Sequence, residues 1–224
     1  MGKKNIKLKE NKSMAMFGKN NKSNEISKGA SSHSNSTTII TGCMRIKGNI
    51  EGCGTIHIDG HILGDLSIDE NIIIGASGTV QGNIKAKKIV ISGTVKGNII
   101  CDTLEVTKTG TVSDKIHAKN IVADGILDAT ILADEHIHIT QNAKVTTERI
   151  QTKHISVNGH IDGNVIASEL LEINKDGQVK GTMKVKKIKV SEGGLMLGTM
   201  LTYETSDSIK PENKIQNKQE VDKK

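Results

Sequence analysis

Tryptophan is absent from this 224-residue chain, and phenylalanine, tyrosine and proline occur once each. An ordinary core of this size is anchored by aromatic side chains that bury roughly 150–250 Å² apiece, so this one must be built from Ile, Val, Leu and Ala. The same shortage disfavours nucleic-acid readers that stack bases on aromatic platforms. The three cysteines, Cys43, Cys53 and Cys101, are odd in number and lack metal-ligand spacing. They fit small packing residues in a reducing cytoplasm better than a disulfide framework. No apolar run approaches the roughly 18 residues of a membrane span, and no signal-peptide pattern is seen. Glycine, by contrast, is abundant at 23 residues, and the middle of the chain is dense in β-branched residues, unlike a disordered composition.

The net charge of +6 is unevenly spread. Residues 1–36 hold eight Lys against Glu10 and Glu25, residues 37–204 are close to neutral, and residues 205–224 hold five Lys against four acids. Two polar, low-complexity tails, 1–36 and 205–224, thus flank a β-rich centre, and their composition predicts disorder.

The centre is repetitive. The motif Gly-x-(Ile/Val)-x-Gly-x-(Ile/Val) reads GHILGDL at 60–66, GTVQGNI at 78–84, GTVKGNI at 93–99, GHIDGNV at 159–165 and GQVKGTM at 177–183. Weaker copies stand at 44–50, 110–116, 125–131 and 194–200, and a distorted one ends at Ile150. Their closing apolar residues are Ile50, Leu66, Ile84, Ile99, Ile116, Ile131, Ile150, Val165, Met183 and Met200. Successive spacings are 16, 18, 15, 17, 15, 19, 15, 18 and 17 residues. Six of the closing residues precede a small residue two positions on (Ala86, Cys101, Ala118, Ala133, Thr152, Ala167), and an apolar pair such as Ile72/Ile74 or Ile155/Val157 comes next in the repeat.

A strand period of two, broken by Gly, Asn and Asp turns about three times per repeat, predicts an all-β, three-sided parallel β-helix of about ten coils over 37–204. At about 4.8 Å per coil the rod is roughly 45–50 Å long. Like residues stack on like, so a narrow bore favours Ile and Val and leaves no room for aromatics. At one corner the gap to the next motif alternates between four and six residues, from Ile58 to Ile62, then Ile74 to Val80, and onward to a final doubled six. That pattern reads either as a two-coil duplication retained by packing or as a ribbed edge that recognises a partner.

Chemistry-bearing motifs are few. His136 and His138 alternate with Ile137 and Ile139, which makes them outward residues on a strand rather than the convergent set zinc requires. Neither a phosphate-binding loop nor a nucleophile elbow is present. No catalytic, metal or cofactor residue is assigned, and no cofactor is expected. The sharpest enzyme alternative is a hexapeptide-like acyltransferase, with a ligand-binding β-solenoid beside it. Coils of 15 to 19 residues break the six-residue period such transferases keep, and no loop projects between Ile40 and Met200.

A solenoid's first and last coils expose apolar side chains and unpaired backbone unless they are capped. No capping helix is evident at either end. Self-association is therefore assigned to Ile39, Ile40, Met44 and Ile46 at one end, and to Leu195, Met196, Leu197, Met200, Leu201 and Tyr203 at the other. In the basic N-terminal tail, Met14, Met16 and Phe17 lie beside Lys19 and Lys22. Such a wedge can insert into an anionic leaflet, each Lys adding on the order of 1 kcal/mol. The same MAMFGK stretch also reads as a natural translation start, with residues 1–13 as an upstream extension.

Together the GNI/GTV-type repeats from Ile40 to Met200, the flanking tails and the Met16-Phe17-Gly18-Lys19 segment resemble the bactofilins. The resemblance implies a right-handed β-helix that polymerises end to end, without nucleotide, into non-polar filaments. It also implies attachment to the inner membrane from the cytoplasm through the Met-Phe peptide, and roles in cell shape, chromosome organisation or scaffolding of cell-wall enzymes. The core itself is expected to bind no specific nucleic acid. Two departures stand out. Ten coils exceed the usual family core, which suggests a duplicated or extended rod. A terminal-coil Phe often found in the family is replaced by Met196, Met200 and Tyr203.

Overall fold

The computed structural model describes residues 36–202. The predicted tails lie outside this range apart from Ser36, and so do Tyr203 and Glu204. Every regular element within it is a β-strand, and every pairing is parallel, as the repeat requires. The first coil consists of β1 (Thr37–Ile40), β2 (Arg45–Lys47) and β3 (Ile50–Gly52), and the second of β4 (Thr55–Ile58), β5 (His61–Leu63) and β6 (Leu66–Ile68). Three strands per coil define three faces, here A, B and C in chain order. After β7 (Asn71–Ile74) and β8 (Thr79–Gln81), strands begin to run through the corners: β9 (Ile84–Ile91), β10 (Thr94–Lys96) and β11 (Ile99–Val106). Later coils are nearly continuous ribbons: β12 (Thr111–Ala123), β13 (Ile126–Ile139), β14 (Lys144–Val157), β15 (His160–Ile173), β16 (Gln178–Val190) and β17 (Leu195–Thr202).

The stacking register reproduces the repeat. On face C the ten closing residues pair in one unbroken ladder, Ile50 with Leu66, Leu66 with Ile84, and so on to Met183 with Met200. Face B carries a second ladder from Ile46 through Ile62, Val80 and Val95 to Met196. Face A carries a double ladder in which Ile56/Ile58 stack on Ile72/Ile74 and then on Ile89/Ile91. From the second coil to the ninth these side chains are almost wholly buried and form one continuous core. Burying each is worth about 1.5–3 kcal/mol. The small-residue position on face C is broader than predicted, since Ile68 and Val185 are buried there alongside Ala86, Cys101 and Ala118.

At the B–C corner one coil departs from the pattern, and the register also shifts at the C–A corner of the later coils. Residues 147–149 insert one extra residue between face B and face C, and the register shifts there. Buried Thr147 donates its hydroxyl to the Ala129 carbonyl at 2.6 Å and accepts from the Arg149 amide at 3.1 Å, which satisfies the displaced backbone. At the same corner the glycines with positive φ, Gly64, Gly82 and Gly97, give way to Asp114 at φ 93°.

The four/six alternation at the A–B corner has a packing origin. Tight turns such as Ser92-Gly93 lie against the preceding wide turn, 75–78. A Cβ on Gly93 would stand 2.2 Å from the Gly78 oxygen and 2.5 Å from that of Gly75. Gly60, Gly125 and Gly159 repeat this contact. The next wide turn folds back in turn, as Thr109 donates to the Ser92 carbonyl at 2.8 Å and Ser77 to that of Asp59 at 3.0 Å. Hydrogen bonds from Thr140 and Asn142 to Asp124 tie another such pair and hold the Asp124 carboxyl below the usual range. Tight and wide turns thus pack against each other in alternation along this corner. Gly93→Ala is expected to cost about 1–3 kcal/mol by overpacking. Gly42→Ala, whose Cβ would meet nothing nearer than 3.6 Å, should be close to neutral. Thermal melts followed by far-UV circular dichroism compare the two, and equal melting temperatures would refute the contact.

Candidate functional site at the ends of the solenoid

Each interior coil is covered on both sides, so its inward residues lose all contact with water. The last coil has a neighbour on one side only, because β17 pairs with β16 and with no other strand among the described residues. Met183 and Met200 occupy the same ladder, yet the first is 0% exposed and the second 45%. Val190, above fully buried Ile173, is 46% exposed, and Ile188 and Met196 are only partly covered. These four residues, with the open β17 edge, form an apolar face the width of the bore. The opposite end is less open. There Ile40 is buried, Ile46 and Ile50 are partly buried, and Met44 is exposed at the A–B corner.

Four residues assigned from sequence lie in the terminal coils as expected, but on the flanks of those coils. Ile39 pairs with His57, Leu195 with Gln178, Leu197 with Lys180 and Leu201 with Lys184. All four are outward positions, so these side chains project from the flanks of the end coils and not from their faces. The period of two explains this, since alternate residues of an apolar strand point in opposite directions. Ile188 and Val190 were the end-face residues that went unassigned, and their ladder parity with Leu171 and Ile173 was the available signal. Tyr203 lies outside the described residues, as do Met14, Met16, Phe17, Lys19 and Lys22.

The other chemistry-bearing residues stay on the surface or inert. His136 and His154 stack outward on adjacent coils with ring centroids 4.9 Å apart, and His154 Nε2 lies 2.9 Å from Glu169. No three His, Cys, Asp or Glu side chains among the described residues are grouped to hold a metal ion. Cys43 and Cys53 are exposed on the first coil. Cys101 is buried, and desolvation, reinforced by neighbouring Asp102, pushes its thiol up to about 12.

A family model described as bactofilin, polymer-forming cytoskeletal, matches twice, at residues 38–124 and 118–200. The two matches together span the solenoid and divide it near its middle. Two curated proteins of Myxococcus xanthus (strain DK1622) are similar. Bactofilin BacO is 33% identical over 72 residues, covering 32% of this chain and 57% of BacO. Bactofilin BacP is 30% identical over 72 residues, covering 32% of this chain and 30% of BacP. The chain thus spans less than two thirds of either relative's length. No solved structure matches it.

Proposed function

The chain belongs to the bactofilin family of polymer-forming cytoskeletal proteins, and on that premise we propose that it assembles end to end, without nucleotide, into filaments that scaffold cell shape or envelope processes. The observation that carries this reading is the uncovered ladder at the last coil. Ile188, Val190, Met196 and Met200 continue the core to its edge with nothing stacked on them among the described residues. Another end face laid on this one would bury them as the next coil buries Met183, and would pair the open strand edge. Such an interface needs no bound nucleotide, because the ladder itself supplies the contact. The role proposed is structural rather than enzymatic, with other scaffolded proteins as clients.

The membrane component rests on the sequence of residues 14–22. We place the polymer at the cytoplasmic face of the inner membrane, held by Met14, Met16 and Phe17 with Lys19 and Lys22. One such wedge binds weakly, but an array along a filament binds through avidity.

Negative-stain microscopy of the purified full chain without nucleotide should show filaments or bundles. Met200→Arg or Val190→Arg should abolish end-to-end growth, whereas Leu197→Arg, on the flank, should leave it intact. Filaments that persist in the first two, or are lost only in the third, contradict end-face stacking. Separately, pelleting with anionic liposomes should fall markedly when residues 1–19 are removed. Equal pelleting would remove the membrane assignment.

A further inference from the structure

Face C carries two surface patterns that share a two-coil period. Numbering coils by their closing residues from Ile50 (coil 1) to Met200 (coil 10), the outward residue in mid-face is apolar on coils 4, 6, 8 and 10. These are Ile100, Leu132, Ile166 and Leu201. Ile100 is 50% exposed, Leu132 38% and Leu201 49%. The coils between them carry Lys85, His117, Gln151 and Lys184, each in register with its apolar neighbours. The apolar residues therefore recur about every 9.6 Å, two strand spacings.

At the corner between faces C and A, the even coils place acids, Asp69, Asp102, Asp134 and Glu169. The odd coils place Lys87, Lys119, Lys153 and Lys186. Three of the acids are engaged by neighbouring coils along the rod, with Lys119 Nζ 2.8 Å from Asp102, His117 Nε2 3.5 Å from Asp134 and His154 Nε2 2.9 Å from Glu169. The Asp102 carboxylate holds the Lys119 ammonium above the usual lysine range. All these charges nevertheless remain solvent-exposed.

We propose that face C pairs two copies of this chain side by side and antiparallel, coil n of one lying over coil 11 − n of the second. The choice follows from parity. In an antiparallel pair the two coil numbers have a fixed sum. An even sum sets acid on acid and Lys on Lys along the whole corner. An odd sum sets every acid over a Lys, and full overlap of ten coils gives such a sum. Asp69 then meets the second copy's Lys186, Lys87 its Glu169, Asp102 its Lys153 and Lys119 its Asp134. The same register staggers the apolar residues, so that Ile100 falls between the second copy's Leu132 and Ile166 as in an interdigitated zipper.

One detail of the surface fits this arrangement. A depression of about 310 Å³ spans coils 2 to 4, between Ser67, Lys85 and Ile100. Coil 8 of the second copy lies above coil 3, which brings its Ile166 to that depression and its Glu169 to Lys87. A parallel pairing instead sets the charged corner over the opposite edge of face C, where Asp65, Lys115 and Arg149 stand among Asn83, Asn98, Thr130 and Asn164, so that full overlap puts Asp69 on Asp65, Lys119 on Lys115 and Lys153 on Arg149, like on like. Lateral pairing uses a different surface from end stacking and does not rest on it.

The test uses the full chain with Met200→Arg to remove end stacking and with Cys43→Ser and Cys53→Ser, Cys101 being buried. Ile100→Cys and Gln151→Cys, on coils 4 and 7, are prepared as separate proteins, with Gln81→Cys on face B as a collisional control. Under mild oxidation an equimolar mixture of the first two should yield disulfide dimer several-fold above the control and above either protein alone. Reversing Lys87, Lys119 and Lys153 to Glu should return that yield to the control level, as should salt of about 0.5 M, which screens exposed charges. A mixture no better than its components, or Ile100→Cys cross-linking to itself most strongly, overturns the proposal. Because the thiols replace exposed residues, unchanged melting curves establish that the fold persists.

Discussion

The structure depends on the in-register parallel ladder. Each coil hydrogen-bonds to the next at a fixed spacing of about 4.8 Å, so the side chain at any point must tolerate the one directly above it. An aliphatic residue does so, because identical branched side chains nest. An aromatic ring at every rung would overfill a bore this narrow. The lack of aromatics, the motif period, and the confinement of variation to outward positions all follow from this one condition. It also explains two buried hydroxyls at breaks in the register, where Thr147 donates to the Ala129 carbonyl at the B–C corner and Thr152 to the Glu135 carbonyl at the C–A corner.

A ladder of this kind has no natural terminus. Whatever favours adding the tenth coil to the ninth would favour adding another, and only a cap or a partner stops it. In the described residues the last coil has neither, and Met200 and Val190 stand half exposed in positions that are sealed one coil earlier. The family's polymer-forming character is thereby connected to a physical cause. An end face is an unfinished core, and a second end face can complete it.

Much of this was legible in the chain. The closing residues picked out by motif alone form the face C ladder without a missed step, including the distorted copy at Ile150. That worked because burial on an inward position leaves few acceptable residue types, and the two-residue insertions at the A–B corner preserve side-chain parity. The four/six alternation was equally visible, but its cause was not. Sequence shows that Gly93 is a glycine, while only the stacked backbone shows the Gly75 and Gly78 carbonyls against it. The end faces were half legible for a related reason. Leu195, Leu197 and Leu201 are as hydrophobic as Met196 and Met200, and hydrophobicity alone does not say which way a strand residue points. Tracing each ladder back to fully buried Leu171 and Ile173 resolves this, and brings Ile188 and Val190 to the face instead.

Two scales of order emerge from the same repeat. The single coil sets the core and the end faces, while the coil pair sets the alternation of turns, the alternating charges and the spaced apolar residues of face C. The twofold match of the family model adds a longer division near mid-rod. The most direct test of the central claim is cryo-electron microscopy of filaments assembled from the full chain. End-to-end completion of an unfinished ladder predicts rungs about 4.8 Å apart that continue without interruption through the junctions between molecules. Rungs that stop at each end face, or a protein that remains a monodisperse monomer at high concentration, would contradict it.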